Sequence, residues 1–179
     1  DAEDSVFNTG RTFLDMLNEG AFAMTYMGHG APNALATEPR FSADDLKNVA
    51  IKNGLPLLNL MSCSAGCFAN NDCLGEQLTT LRHGPVTVVG SNEIISPPVL
   101  QFFGDRMAAY LEKNGETTLG EVFLHAQQNL IDEDDFLWQI FQQLPPALIE
   151  RVGLKGGVKE GTRRQGLQMS LMGDPALTW

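Results

Sequence analysis

The chain has 179 residues, enough for one α/β domain with a sizeable core and short for two. Apolar residues make up 43% and charged residues 19%, a composition that excludes a disordered chain. A net charge of -10, with Arg163 and Arg164 as the one basic pair, argues against a nucleic-acid partner, because phosphate binding needs clustered Lys and Arg.

Phe13, Leu14 and Leu17 fall at helical spacing and Gly20 marks a stop, so a helix is expected before the apolar run Ala21 to Met27, which reads as a buried strand. Ser42 with Asp45 resembles a capping box and opens a second helix bearing Leu46, Val49 and Ala50. Leu55 to Ser62 and Pro85 to Ser91 are buried-strand patterns, and Leu74, Leu78 and Leu81 mark a helix between them. Ser96 and Pro97 suit the start of a helix with Leu100, Phe103, Met107, Tyr110 and Leu111 on one side, ending near Gly115. Thr118 and Glu121 are a further capping-box pair, opening a helix with Leu119, Val122, Phe123, Ala126 and Leu130 inward. A helix around Phe136 to Leu144 is interrupted by Pro145 and Pro146. Val152 to Gly166, rich in Gly and charge, reads as a loop, and Leu167 to Met172 as a last strand closed by Gly173, Asp174 and Pro175. Strands alternating with helices imply a mostly parallel, three-layer α/β sheet.

No apolar run reaches the ~20 residues that span a bilayer. Three cysteines are too few for a disulfide framework. The chain opens at Asp1 without an initiator Met or a basic-then-apolar leader, as expected of a processed or trimmed end.

Ligands of an open parallel sheet sit beyond the carboxyl ends of its strands. Three segments fall there: Tyr26 to Gly30, Met61 to Gly66, and Gly90 to Asn92. If the first two strands are neighbours about 4.8 Å apart, His29 and Cys63 can meet across a cleft. An unassisted thiol of pKa ~8.5 is mostly protonated at neutral pH, so such a nucleophile needs a nearby imidazole or helix N-terminus. The backbone N–H groups of Gly30 and Cys63 are the candidate oxyanion hole.

Taken together, Tyr26-Met27-Gly28-His29-Gly30, Ser62 to Phe68 (SCSAGCF), Val88-Val89-Gly90-Ser91 and Met172 to Leu177 (MGDPAL) resemble, in order and spacing, the gingipain-type cysteine peptidases. That resemblance implies a three-layer caspase-like fold over residues 1–179, forming a single domain that is the C-terminal, catalytic portion of the family domain. It selects Cys63 over Cys67 as nucleophile, with His29 as its imidazole partner. The implied activity is that of a cysteine endopeptidase acting on a protein or peptide through a thioester, with no metal or organic cofactor. Met61, Ser91 and the stretch Asn92 to Pro97, in which Glu93 is the one acid, are expected to line the substrate pocket. The N-terminal half of the family domain is not represented, so a missing N-terminal segment or a second chain is expected beside the His29 strand. Family membership also implies a secreted or cell-surface location.

Two other readings use the same residues: a sortase-like transpeptidase, in which an amine replaces water as acyl acceptor, and a catalytically silent interaction module. His83 is expected to compensate a helix dipole, His125 and Tyr26 to pack, and Cys67 and Cys73 to be core residues rather than zinc ligands with Cys63 and His83. The acidic run Asp132 to Asp135 reads as a helix boundary rather than a calcium site, and Asp174 as a turn residue.

Overall fold

The computed structural model describes residues 12–36, 41–69, 72–132 and 134–178. In chain order come α1 (Phe13–Glu19), β1 (Ala23–Met27), three two-residue strands β2 (Gly30–Ala31), β3 (Ala34–Leu35) and β4 (Phe41–Ser42), and a 3-10 helix, Ala43–Asn48. There follow β5 (Leu57–Met61), α2 (Leu74–Thr80), β6 (Thr87–Ser91), α3 (Pro97–Asn114) and α4 (Leu119–Gln128). The chain ends with α5 (Phe136–Gln142), α6 (Pro146–Arg151), α7 (Val158–Gly166) and β7 (Met169–Gly173).

The central sheet has the order β1-β5-β6-β7, and β2, β3 and β4 form a small antiparallel sheet. The β1–β5 and β5–β6 pairings are parallel, while β7 closes the far edge antiparallel to β6. Side chains alternate across each strand, so β5 sends Leu57 and Met61 to one core and Leu58 and Leu60 to the other. The first core joins Val99, Phe103, Trp138 and their neighbours on the later helices; the second joins Leu17, Phe41, Leu74 and Leu78. Each such side chain, fully buried, contributes roughly 1.5–3 kcal/mol. The result is the expected three-layer arrangement, a mostly parallel sheet between two layers of helices.

Four expectations need correction. Ala21 to Met27 does not form a buried strand: β1 lies at the sheet edge, with Ala23, Thr25 and Met27 exposed and only Met24 and Tyr26 packed inward. The three exposed residues alternate along β1 and so share one face, which α3 leaves partly uncovered across the cavity they line. The Val152 to Gly166 stretch is no simple loop, since α7 occupies its second half. The buried stripe of α7 is Val158, Gly161, Thr162, Gln165 and Gly166, helically spaced but too small and polar to register as an apolar period. Pro145 and Pro146 do not merely interrupt; they start α6, where proline's fixed φ suits the first turn. His83 lies beyond the end of α2, whose last turn holds no basic residue, and its carbonyl accepts from Ile51 N.

The Thr118 capping box forms as expected, with Glu121 N donating to Thr118 Oγ1 and Glu121 accepting from Thr118 N. Ser42 N and its hydroxyl both donate to Asp45, but the turn they open is 3-10 rather than α. Ser96 stands at the N-cap of α3 without capping it; its hydroxyl turns to Gln165. Asp135 caps α5, so the acidic run is a helix boundary where it is described, Glu133 lying outside the described residues. Asp174 accepts from Ala176 N within its turn.

Candidate active site

The register of β1 against β5 pairs Met27 with Met61. His29 and Cys63 therefore each lie two residues past the ends of adjacent parallel strands, at matching levels. Gly28 N donates to Met61 O at 3.3 Å, extending the pairing one step toward them. His29 is exposed and Cys63 half-buried, so both face the rim of the sheet.

Local chemistry shapes the two loops differently. After His29 the chain turns into the β2–β3 hairpin, with Ala36 N donating to His29 O at 2.8 Å. The Tyr26 hydroxyl donates to the same carbonyl at 2.8 Å, while its ring packs edge-on against Phe13. Tyr26 thus does more than pack: it fixes the backbone that carries the imidazole.

Gly30 has no room for a side chain. A Cβ there would stand 2.6 Å from Ser62 Oγ and 2.8 Å from Cys63 O. Because Ala36 N bonds His29 O, the Gly30–Leu35 pair is of the non-hydrogen-bonded kind and the Gly30 N–H points away from β3. Among the described residues Cys63 N–H engages no acceptor. The two N–H groups expected to form an oxyanion hole thus lie on abutting stretches of backbone.

The Cys63 loop is held from β6. Ser64 N donates to Glu93 O at 3.0 Å and Gly66 N to Ser91 O at 2.9 Å. Ser64 itself sits at φ 57, a left-handed conformation costing roughly 1–2 kcal/mol for a residue with a Cβ. Strain of this kind persists only where its surroundings impose it, and here it turns the chain immediately after the thiol. A Cβ on Gly66 would lie 2.9 Å from Gly90 C, so two glycines let the loop rest directly on β6.

The thiol donates to Ile95 O at 3.6 Å and makes no hydrogen bond to His29 among the described residues. Catalytic hydrogen bonds often tighten only when substrate is bound. Ile95, part of the stretch expected to line the pocket, is therefore a backbone partner of the sulfur. Cys73 is fully buried, and burial pushes its thiol pKa up. Cys67 is half-buried, and all three cysteines are unbridged. Among the described residues no His, Cys, Asp or Glu group could hold a metal ion.

The residues expected to line a substrate pocket are separated by the fold. Met61 is buried and borders a cavity of about 310 Å³ on the α3 side of the sheet, with Thr25, Met27 and Asn59. Ser91 is fully buried, and its hydroxyl turns to Glu93 O. Asn92 accepts from Ser170 Oγ at 3.0 Å. Glu93 to Pro97 line one cleft together, opposite α6 and α7, and the Glu93 carboxylate accepts from Gln168 Nε2 at 2.8 Å.

No helix among the described residues is long and apolar enough to cross a membrane. Comparison with curated proteins returns no significant match. Among solved structures, the crystal structure of the Arg-specific cysteine proteinase gingipain R is similar, with a TM-score of 0.69, 20% identity, and 92% of this chain aligned to 34% of that one. The complex of Porphyromonas gingivalis RgpB pro- and mature domains gives 0.67 at 22% identity, over 92% of this chain and 35% of that one. A structure described as a protease gives 0.62 at 16% identity, over 90% and 36%. The chain thus spans about a third of the length of these structures, and the likeness is one of fold. The sequence profile of peptidase family C25 matches residues 2–179, and the chain belongs to that family.

Proposed function

We propose that this chain is the catalytic portion of a cysteine endopeptidase, with Cys63 as nucleophile and His29 as its acid–base partner. The observation that carries the reading is the in-register parallel pairing of β1 and β5, which brings His29 and Cys63 to one level at the rim of the sheet. Membership of a cysteine peptidase family agrees with it.

In this mechanism the thiol gives up its proton toward His29 as Sγ bonds to the scissile carbonyl carbon. The carbonyl oxygen becomes an oxyanion and takes hydrogen bonds from Gly30 N–H and Cys63 N–H. Each such donor lowers the barrier by about 3 kcal/mol in comparable sites. Collapse breaks the C–N bond, His29 delivers its proton to the departing amine, and a thioester remains on Cys63. Water then attacks the thioester, His29 takes its proton, and carboxylate and thiol are released. No step needs a metal or organic cofactor.

The same reading covers the surroundings. The outer edge of β1 has no strand beside it among the described residues, and an open edge is an association hazard unless covered. A further segment of a longer protein, or a second chain, is therefore inferred to pair there. By family membership the protein is inferred to act outside the cell or at its surface.

The test is hydrolysis of a fluorogenic peptide panel by the intact protein, its Cys63→Ala variant and its His29→Ala variant. Cys63→Ala is expected to lose all turnover while its melting temperature stays unchanged, since Cys63 contributes one weak hydrogen bond. His29→Ala is expected to lose at least about a hundredfold. Undiminished turnover in Cys63→Ala would end the proposal.

A further inference from the structure

One residue removed from the thiol, across Ile95, lies a cleft of about 870 Å³ that the catalytic steps leave unused. One wall is the Glu93–Pro97 segment, whose Ile95 carbonyl touches Cys63 Sγ. The opposite wall comes from the end of α6 and from α7, which bring Arg151, Lys155 and Arg164 to the cleft.

The charge of this surface runs against that of the whole chain. The chain carries a net charge of -10, yet the charged residues lining the cleft are three cations and one carboxylate. All three cations are exposed, and none is ion-paired among the described residues; Arg164 Nη2 reaches only Lys155 O, at 3.5 Å. The one carboxylate, Glu93, is occupied by Gln168. Unpaired cations converging in a concave site focus its potential on an incoming anion.

The cleft is also built rather than incidental. Gln165, buried in α7, accepts from Ser96 N at 2.9 Å and Ser96 Oγ at 2.7 Å, and donates to Gly153 O at 3.1 Å. One side chain thereby ties together the three segments that form the walls. Gly161, where a Cβ would stand 2.8 Å from Leu154 Cα, seats α7 tightly against the turn carrying Lys155. Ile94, 78% exposed, offers an apolar rim next to the cations.

We propose that this cleft selects peptides bearing an acidic side chain near the scissile bond, through Arg151, Lys155 and Arg164. The inference rests on the peptidase reading and adds its substrate class. A carboxylate beside the bond held at Cys63 would meet three cations without displacing an existing ion pair, whereas a basic side chain would be repelled.

The experiment measures binding of fluorescent peptides to the intact protein bearing Cys63→Ala, comparing Glu with Gln at each position around a fixed scissile bond. Glu is expected to bind about fivefold more tightly than Gln at one or two positions. The preference should fade at about 0.5 M salt and reverse in a variant that adds Arg151→Glu and Arg164→Glu, with Lys155→Glu as the milder substitute if that variant melts early. Equal binding of Glu and Gln peptides, an absence of peptide binding, or a preference unmoved by the charge reversals would each overturn the proposal. Cleavage by unmodified protein, read in parallel, separates the two ideas. Turnover without charge preference leaves the peptidase reading and removes this one; acid-selective binding without turnover does the reverse.

Discussion

At the residue scale the site is governed by close backbone approach. Gly30 packs its Cα against Ser62 and the Cys63 carbonyl, so Gly30→Ala forces a shift of the loop that supplies one oxyanion donor. Loss of about a hundredfold in kcat is expected, with KM less affected, measured as steady-state hydrolysis. Tyr26→Phe removes only the hydroxyl that anchors His29 O. A loss of about fivefold in kcat with retained secondary structure is expected, corresponding to one hydrogen bond of about 1 kcal/mol. That His29 and Cys63 follow the ends of neighbouring strands was legible in the sequence, because each stands two residues past a short apolar run; the choice of Cys63 over Cys67 came from the family resemblance. The partners of those residues were not. Ile95 fell in the stretch expected to line the pocket, but it meets the thiol through its carbonyl, which its side chain does not advertise, and Ser96 carried a helix-cap signal while its hydroxyl serves Gln165.

At the element scale, periodicity found β1, β5, β6, β7 and α1 to α5, and missed the two-residue strands β2 to β4, the six-residue α6, and α7, whose buried face beyond Val158 is Gly, Thr and Gln. That face predicts an inversion of ordinary helix propensity. Gly161→Ala should raise intrinsic helicity, yet the added methyl meets Leu154 backbone at 2.8–3.0 Å. A net destabilisation of about 1–3 kcal/mol is expected in chemical denaturation, against a gain of up to about 1 kcal/mol if α7 were loosely packed. The misreading of β1 has a different cause. An apolar run shows that a strand is present but not how fully each face is covered, and Ala23, Thr25 and Met27 share the face that α3 covers only in part.

At the scale of the whole molecule, two cores sandwich the sheet, and a polar tie at the far side of the larger one sets a pH dependence. Arg106 Nη2 bonds Asp135 Oδ2 at 2.7 Å, with Asp132 at 4.0 Å, and Asp135 also caps α5. The hydrogen bond from Arg106, helped by the N–H groups of Trp138 and Leu137, holds the Asp135 carboxyl below its ordinary value. A depressed carboxylate stabilises the fold above its unfolded pKa of about 3.9 and loses that contribution as pH falls through its lower folded value. Asp135→Asn, which retains a cap acceptor, should therefore melt earlier than the unsubstituted protein near neutral pH, with the gap closing below about pH 4. Thermal melts across that range check it.

The central claim, that Cys63 is the nucleophile of a peptidase site, is tested most directly by peptidyl acyloxymethyl ketones, with the modified residue located by mass spectrometry. Covalent modification is expected at Cys63, dependent on the peptide and lost in His29→Ala, with buried Cys73 untouched. Labelling that falls equally on Cys63 and Cys67 whatever the peptide, or none at all in a folded sample, would contradict it.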